Sequence, residues 1–130
     1  MKEIEKTIQS LSHQEALRWA VSCSENVLCY YHGTQLDDLK EILDSALLWL
    51  DGNLSVPEAR QLAFKAHAIA RDAPDAPSIK VARSVGHAAA TVHVKDHAIH
   101  AATYALKAIT DETQLIEEKR WQMNRAFKFI

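Results

Sequence analysis

Gly86-His87-Ala88-Ala89-Ala90-Thr91-Val92-His93-Val94-Lys95-Asp96-His97-Ala98 sets three histidines and one aspartate among the smallest side chains available. Alanine and glycine let helix backbones approach closely, so imidazoles placed among them are pressed between helices. There each ring nitrogen must find a partner or bear a desolvation cost. The stretch is therefore a polar cluster in a tight core, or a site. It also fixes the number of helices. Val92, His93 and Val94 put two β-branched residues around a histidine, and Asp96 suits a cap, which predicts a break or sharp bend here.

Upstream of that bend a fourth helix starts near Ser78 and carries Ile79, Ala82, Val85, Ala89 and Val92. Downstream a fifth carries Ala98, Ala101, Tyr104, Ala105, Ala108 and Ile109, and a last helix runs from Asp111 to about Phe127. Further back, Ser55-Val56-Pro57-Glu58 opens a third helix, with Ser55 as cap, Pro57 in the first turn and Glu58 completing a capping box. It ends near Asp72, ahead of Pro74 and Pro77. A second runs from about Leu36 to Asp51 and stops at Gly52. Ser12-His13-Gln14-Glu15 has the form of another box, after which apolar spacing from Leu17 through Tyr31 predicts the first long helix, ending at Gly33. Ile4, Ile8 and Leu11 predict a short extra helix within residues 1–11.

These segments make an all-α chain: one helical domain over residues 1–130, a core bundle of five to six helices over 12–127, and an alanine-rich second half. Sixteen of the fifty residues from Ala59 to Ala108 are alanine, so neighbouring helix axes there can approach closely. Alanine-rich faces also make close dimers, which leaves a homo-oligomer open.

A formal net charge of -2 with both signs interspersed gives no polybasic patch, which argues against nucleic acid or an anionic membrane surface as partner. The segment Met1-Lys2-Glu3-Ile4-Glu5-Lys6 alternates charge and lacks an apolar core, and no apolar run reaches membrane-spanning length. The expected compartment is the cytoplasm. Cys23 and Cys29 face different ways on one helix and read as free thiols, with Cys23 buried beside Trp19 and Tyr30.

Two constellations are candidate sites. The first is the polar cluster of His67, His87, His93, Asp96 and His97. Ala63 to Ala68 is echoed twenty residues later around His87, which suggests that His67 and His87 occupy similar places on adjacent antiparallel helices. Were Val92 to Tyr104 one continuous helix, His93, His97, His100 and Tyr104 would share a stripe. Two imidazoles four apart, His93 and His97, could hold a metal, with Asp96 as ligand or orienting partner. An acid–base pair of Asp96 with a histidine is chemically possible too. No His-Glu-x-x-His or Glu-x-x-His signature is present, however, so the favoured reading is structural. In it His87, His93 and His97 donate to backbone carbonyls or to Asp96 and lock the bend. His67 reads as a satisfied core histidine. His32 complements the carbonyl end of the first helix.

The second constellation is Asp37, Glu41, Asp44, Leu48 and Asp51, a solvent-facing acidic stripe with one out-of-place leucine. An exposed apolar residue in a charged rim can anchor a partner, with the acid around it steering a basic surface. The plain alternative is a solvated face with Leu48 covered by the amino-terminal segment. No nucleophile elbow occurs, no catalytic residue is assigned, and no cofactor is expected.

The histidine-alanine stretch, together with Ala16 to Cys23, Ser55-Val56-Pro57-Glu58-Ala59-Arg60, Ala66-His67-Ala68 with Ala70-Arg71, Tyr104 to Ala108, and Arg120-Trp121-Gln122, resembles the Imm-5-like family of small bacterial helical proteins. The resemblance covers about residues 12 to 125. The chain departs from the family pattern at Val92 and Lys95, where smaller residues are usual. The resemblance implies an all-helical, cytosolic immunity protein that protects its producer by binding a cognate toxin, and it brings no catalytic residues.

Overall fold

Four helices start at a side chain that takes over backbone N–H groups the helix cannot satisfy itself. Ser12 caps α2 (His13–Glu25) and Ser55 caps α4 (Val56–Arg71), each within a complete capping box returned by Glu15 and Glu58. Asp75 caps α5 (Ala76–Ala90) and Asp111 caps α7 (Glu112–Phe127). The remaining helices are α1 (Lys2–Gln9), α3 (Leu36–Leu47) and α6 (His97–Lys107). This computed structural model describes residues 2–129, so Met1 and Ile130, the ends of the expected domain, lie outside the described residues.

Among the described residues every regular element is helical, as expected, but there are seven α-helices where five to six were predicted. The chain does break between α5 and α6. The amino-terminal helix also forms, because Ile4, Ile8 and Leu11 are all buried in the core.

Two helix ends differ from the sequence reading. α2 stops at Glu25, well before Gly33, and a 3₁₀ turn spans Leu28–Tyr30. The Asn26 N–H bonds back to the Ser22 and Ser24 carbonyls and tightens the last turn. Val27 and Tyr31 are buried all the same, so apolar spacing persists after the helix has ended. Gly33 is needed for a different reason: a Cβ there would collide with the Tyr31 phenol. That phenol oxygen accepts from the Gln35 N–H at 3.1 Å. α3 likewise passes into a 3₁₀ turn, Leu48–Asp51, which Gly52 ends at φ 76°, a left-handed conformation suited to glycine. His32 does not serve the end of α2. Its Nδ1 lies 2.9 Å from Asp75 Oδ2, at the start of α5. The Ser78 hydroxyl and N–H, with His32 beside them, hold the Asp75 carboxyl down at about 2.

α5 is the central rod and touches α2, α3, α4 and α6. It can do so because Ala82, Ser84, Gly86, Ala88 and Ala89 leave little side chain between axes. α4 returns along it as a hairpin, burying Ala59, Ala63, Ala66 and Ala70. These alanine faces of α4 and α5 are thus buried against each other inside the bundle. α1 and α7 pack on each other and on α6, closing one end.

Among the described residues most buried polar side-chain atoms on the inner faces are paired, Gln122 Oε1 and Arg125 Nε being the two without a partner. The Ser84 hydroxyl donates to the Ala101 carbonyl at 2.8 Å, so the Ser24 hydroxyl, also 2.8 Å away, donates to Ser84. Trp19, fully buried, donates its indole N–H to the Gln122 carbonyl at 2.9 Å, and Gln122 Nε2 donates to the Ala102 carbonyl at 3.0 Å. Cys23 is buried and Cys29 exposed, both as free thiols. Burial pushes the Cys23 thiol well above its ordinary pKa.

Candidate functional site

The break between α5 and α6 decides where every histidine goes. The Ala90 carbonyl accepts from both the His93 and Val94 N–H groups, after which the chain turns and α6 begins at His97. His97, His100 and Tyr104 then share a face of α6, at offsets of three and seven, while His93 is left on the turn. The continuous stripe that would have included His93 does not form.

The histidines do not lock this bend. His13 Nε2 meets the Thr91 carbonyl and Lys95 Nζ donates to the Gln9 carbonyl at 3.1 Å, so the first two helices brace the turn instead. None of the His87, His93 and His97 rings bonds a backbone carbonyl or Asp96. Asp96 itself is exposed and makes no capping bond. Its backbone is already helical (φ -64°, ψ -18°), whereas a capping side chain needs an extended cap residue to fold back.

What the structure assembles is an imidazole cluster around His87. Its ring lies 5.4 Å from that of His67, 5.2 Å from His97 and 5.4 Å from His100, and stacks within 9° of parallel on Tyr104. The Nδ1 atoms of His87 and His97 are 3.0 Å apart, so one donates and the other accepts. Arg83 Nη1 donates to His67 Nδ1 at 2.8 Å. Gly86 makes this possible, since a Cβ there would stand 2.7 Å from His67 Cε1. His67 and His87 therefore do face each other from antiparallel helices, as the echo in the sequence suggests.

Crowding keeps these rings neutral. Burial, then the neighbouring His67, His97, His100 and Arg83, pushes His87 down to about 4. His67 is lowered by burial and by Arg83 and Arg71. His97 is lowered by burial, His100 and His93, with Asp96 opposing. At pH 7 His67, His87 and His97 are therefore neutral, each with one N–H donor and one lone pair.

Beside it opens a cleft of about 260 Å³ lined by Arg60, Ala63, Phe64, His67, Ala90, His93 and His97. Phe64 is 62% exposed. His93 and His97, the pair that could have held a metal, go separate ways: His93 meets Arg60 and His97 meets His87. Among the described residues no three His, Cys, Asp or Glu side chains are placed to hold a metal ion. Phe64 was not singled out in the sequence, and Arg60 and Arg71 entered only with the resemblance, although offsets of four, three and four set Arg60, Phe64, His67 and Arg71 on one face of α4.

The residues of the acidic stripe lie on α3 and on the 3₁₀ turn that follows it. Asp37, Glu41, Asp44, Leu48 and Asp51 are all exposed. Leu48 is 44% exposed, so the amino-terminal segment does not cover it. Asp44 shares a shallow groove of about 230 Å³ with Glu25, Leu28, Lys40 and Leu43. Glu25, from the end of α2, has its carboxyl raised by burial and by Asp44. Only the tertiary structure brings it there.

Residues 6–128 match the family model described as Imm-5 like putative immunity protein. The chain belongs to this family. Comparison with curated proteins and with solved structures gave no match. In this Imm-5-like protein the match starts inside α1, ahead of residue 12 where the sequence resemblance begins, so it takes in the amino-terminal helix as well. No helix among the described residues is long and apolar enough to cross a membrane.

Proposed function

We propose that this Imm-5-like protein protects its bacterial producer by capturing a cognate toxin non-covalently in the cytoplasm, without chemistry of its own. The observation that carries the reading is the exposed Leu48 at the end of α3, with Asp37, Glu41, Asp44 and Asp51 also exposed along α3 and the turn after it. The carboxylates steer a basic surface toward α3, and Leu48 then enters an apolar socket. Burying one leucine contributes about 1.5–3 kcal/mol, enough for an anchor when the rim excludes water. The family membership supports a toxin as the partner.

The test uses the toxin encoded beside the gene, with affinity measured by calorimetry. Leu48→Arg is expected to weaken capture by roughly tenfold or more, from loss of that buried area. Asp44→Lys is expected to slow association and to weaken its dependence on salt. Both positions are exposed, so the variants keep their folding stability within about 0.5 kcal/mol. Full-strength capture by both would remove this face from the mechanism.

A further inference from the structure

We propose that the cleft between α4, α5 and the turn before α6 binds a small aromatic oxyanion, its charge held by Arg60 with His67, His93 and His97 and its ring lying on Phe64. This site is separate from the α3 face and does not depend on the toxin reading.

The first argument is a count of donors against acceptors. Arg60 brings five N–H donors, and its partner in the cleft is the His93 ring, 3.0 Å from Nε2 and 3.2 Å from Nδ1. Nearly equal distances mean that the guanidinium is aimed at neither lone pair. Among the described residues no carboxylate lies within ion-pair distance of Arg60 or Arg83. Arg83 does not lose its proton, so His67 Nδ1 must accept, and the neutral ring carries its hydrogen on Nε2. The His87–His97 contact consumes one donor and one acceptor. Arg60 and His93 are exposed, so the donors left over face the solvent-open cleft, where an oxyanion is the acceptor that matches them.

The surrounding charges agree. Arg71 on α4 acts on His67, and Lys80 and Lys107 lie over Tyr104 from α5 and α6. His100 adds a further imidazole. The one acid acting on these rings is Asp96, which is exposed on the turn. A metal ion fits less well, because Arg83 already occupies the His67 lone pair that a metal would need. The apolar wall sets the rest of the ligand: Phe64 stands 62% exposed, with Ala63 and Ala90 lining the same cleft of about 260 Å³. An exposed ring beside a guanidinium offers a stacking surface to a flat molecule.

The experiment titrates phenyl phosphate and, separately, benzoate into the full chain, following histidine ring signals by NMR. One saturable site is expected, moving His67, His93 and His97 but not His32; the tighter probe reveals whether the site prefers a phosphoryl or a carboxylate group. Arg60→Ala should weaken binding at least tenfold and Phe64→Ala several-fold, with thermal midpoints confirming that both variants fold. Phenol, which lacks the anion, should not bind. The proposal is overturned if neither probe saturates, or if Arg60→Ala binds as tightly as the parent. It is also overturned if Zn²⁺ saturates these rings at one equivalent while both aromatic anions leave them unmoved.

Discussion

Ser84 and His87 stand one turn apart on α5, yet their surroundings follow opposite rules. Around Ser84 the hydrogen bonds close: Ser24 donates to Ser84 and Ser84 donates to the Ala101 carbonyl, with both serines fully buried. Around His87 they do not: the rings of His67, His97, His100 and Tyr104 crowd it, and beside them opens a cleft lined by Arg60, His67, His93 and His97 with donors left over. Small residues permit both arrangements, because they bring helices close enough for short polar side chains to meet on one face and leave room for rings on the other. The difference teaches that a buried polar group is a structural tie when its partners are complete, and a place for something else when they are not.

The largest expected effect is on the closed side. Ser84→Val leaves the Ala101 carbonyl and the Ser24 hydroxyl without their partner, and should cost about 2–3 kcal/mol in urea unfolding. A cost under about 0.5 kcal/mol would dissolve the contrast.

Next comes the pH dependence of the open side. His87 falls from an ordinary value of 6.5 in the unfolded chain to about 4 when folded, so the unfolded state takes up protons first. Its contribution is fully present above pH 6.5 and declines as pH falls toward about 4. His67 and His97 are lowered in the same direction. Because the group is half-exposed, solvent screening cuts the effect to the order of 1 kcal/mol, or a drop of a few degrees in thermal midpoint between pH 7 and 5. Glu25 and Glu118, raised mainly by burial, pull the other way. His87→Asn should therefore flatten the fall, and Ser84→Val should leave its slope intact; a His87→Asn variant with the same pH dependence as the parent would rule out the packed, neutral cluster.

The smallest expected effect is at Gly86→Ala. Alanine gains up to about 1 kcal/mol in helix propensity, and the displaced His67 ring takes most of it back. Net stability should change by less than about 1 kcal/mol, while His67 loses Arg83 and its proton affinity rises toward the ordinary value. An unchanged His67 titration would show that the ring does not need the space.

Local signals in the sequence were legible wherever one side chain serves its own helix. Ser12 with Glu15, Ser55 with Glu58, and Gly52 all act where the pattern puts them. The break after Ala90 was readable from its β-branched residues. What failed was local chemistry read where distant contacts decide. α2 was drawn too long because Val27 and Tyr31 are buried in either conformation, so apolar spacing cannot tell helix from turn there. The bend was assigned to its own histidines, although His13 and Lys95 hold it across 78 and 86 residues of chain. Of the candidate site, the acidic stripe could be read from periodicity alone. The cleft needed Arg60 and Phe64, whose spacing on α4 was visible but meaningless until His93 was brought opposite.

The Trp19 indole and the Gln122 carbonyl that receives it are 103 residues apart. During synthesis, then, α2 must wait with its largest ring unsatisfied until α7 has been made. α7 supplies the seal. A chain truncated before α7 would keep most of its helices and still leave that tryptophan open to water, where its fluorescence would betray the missing seal.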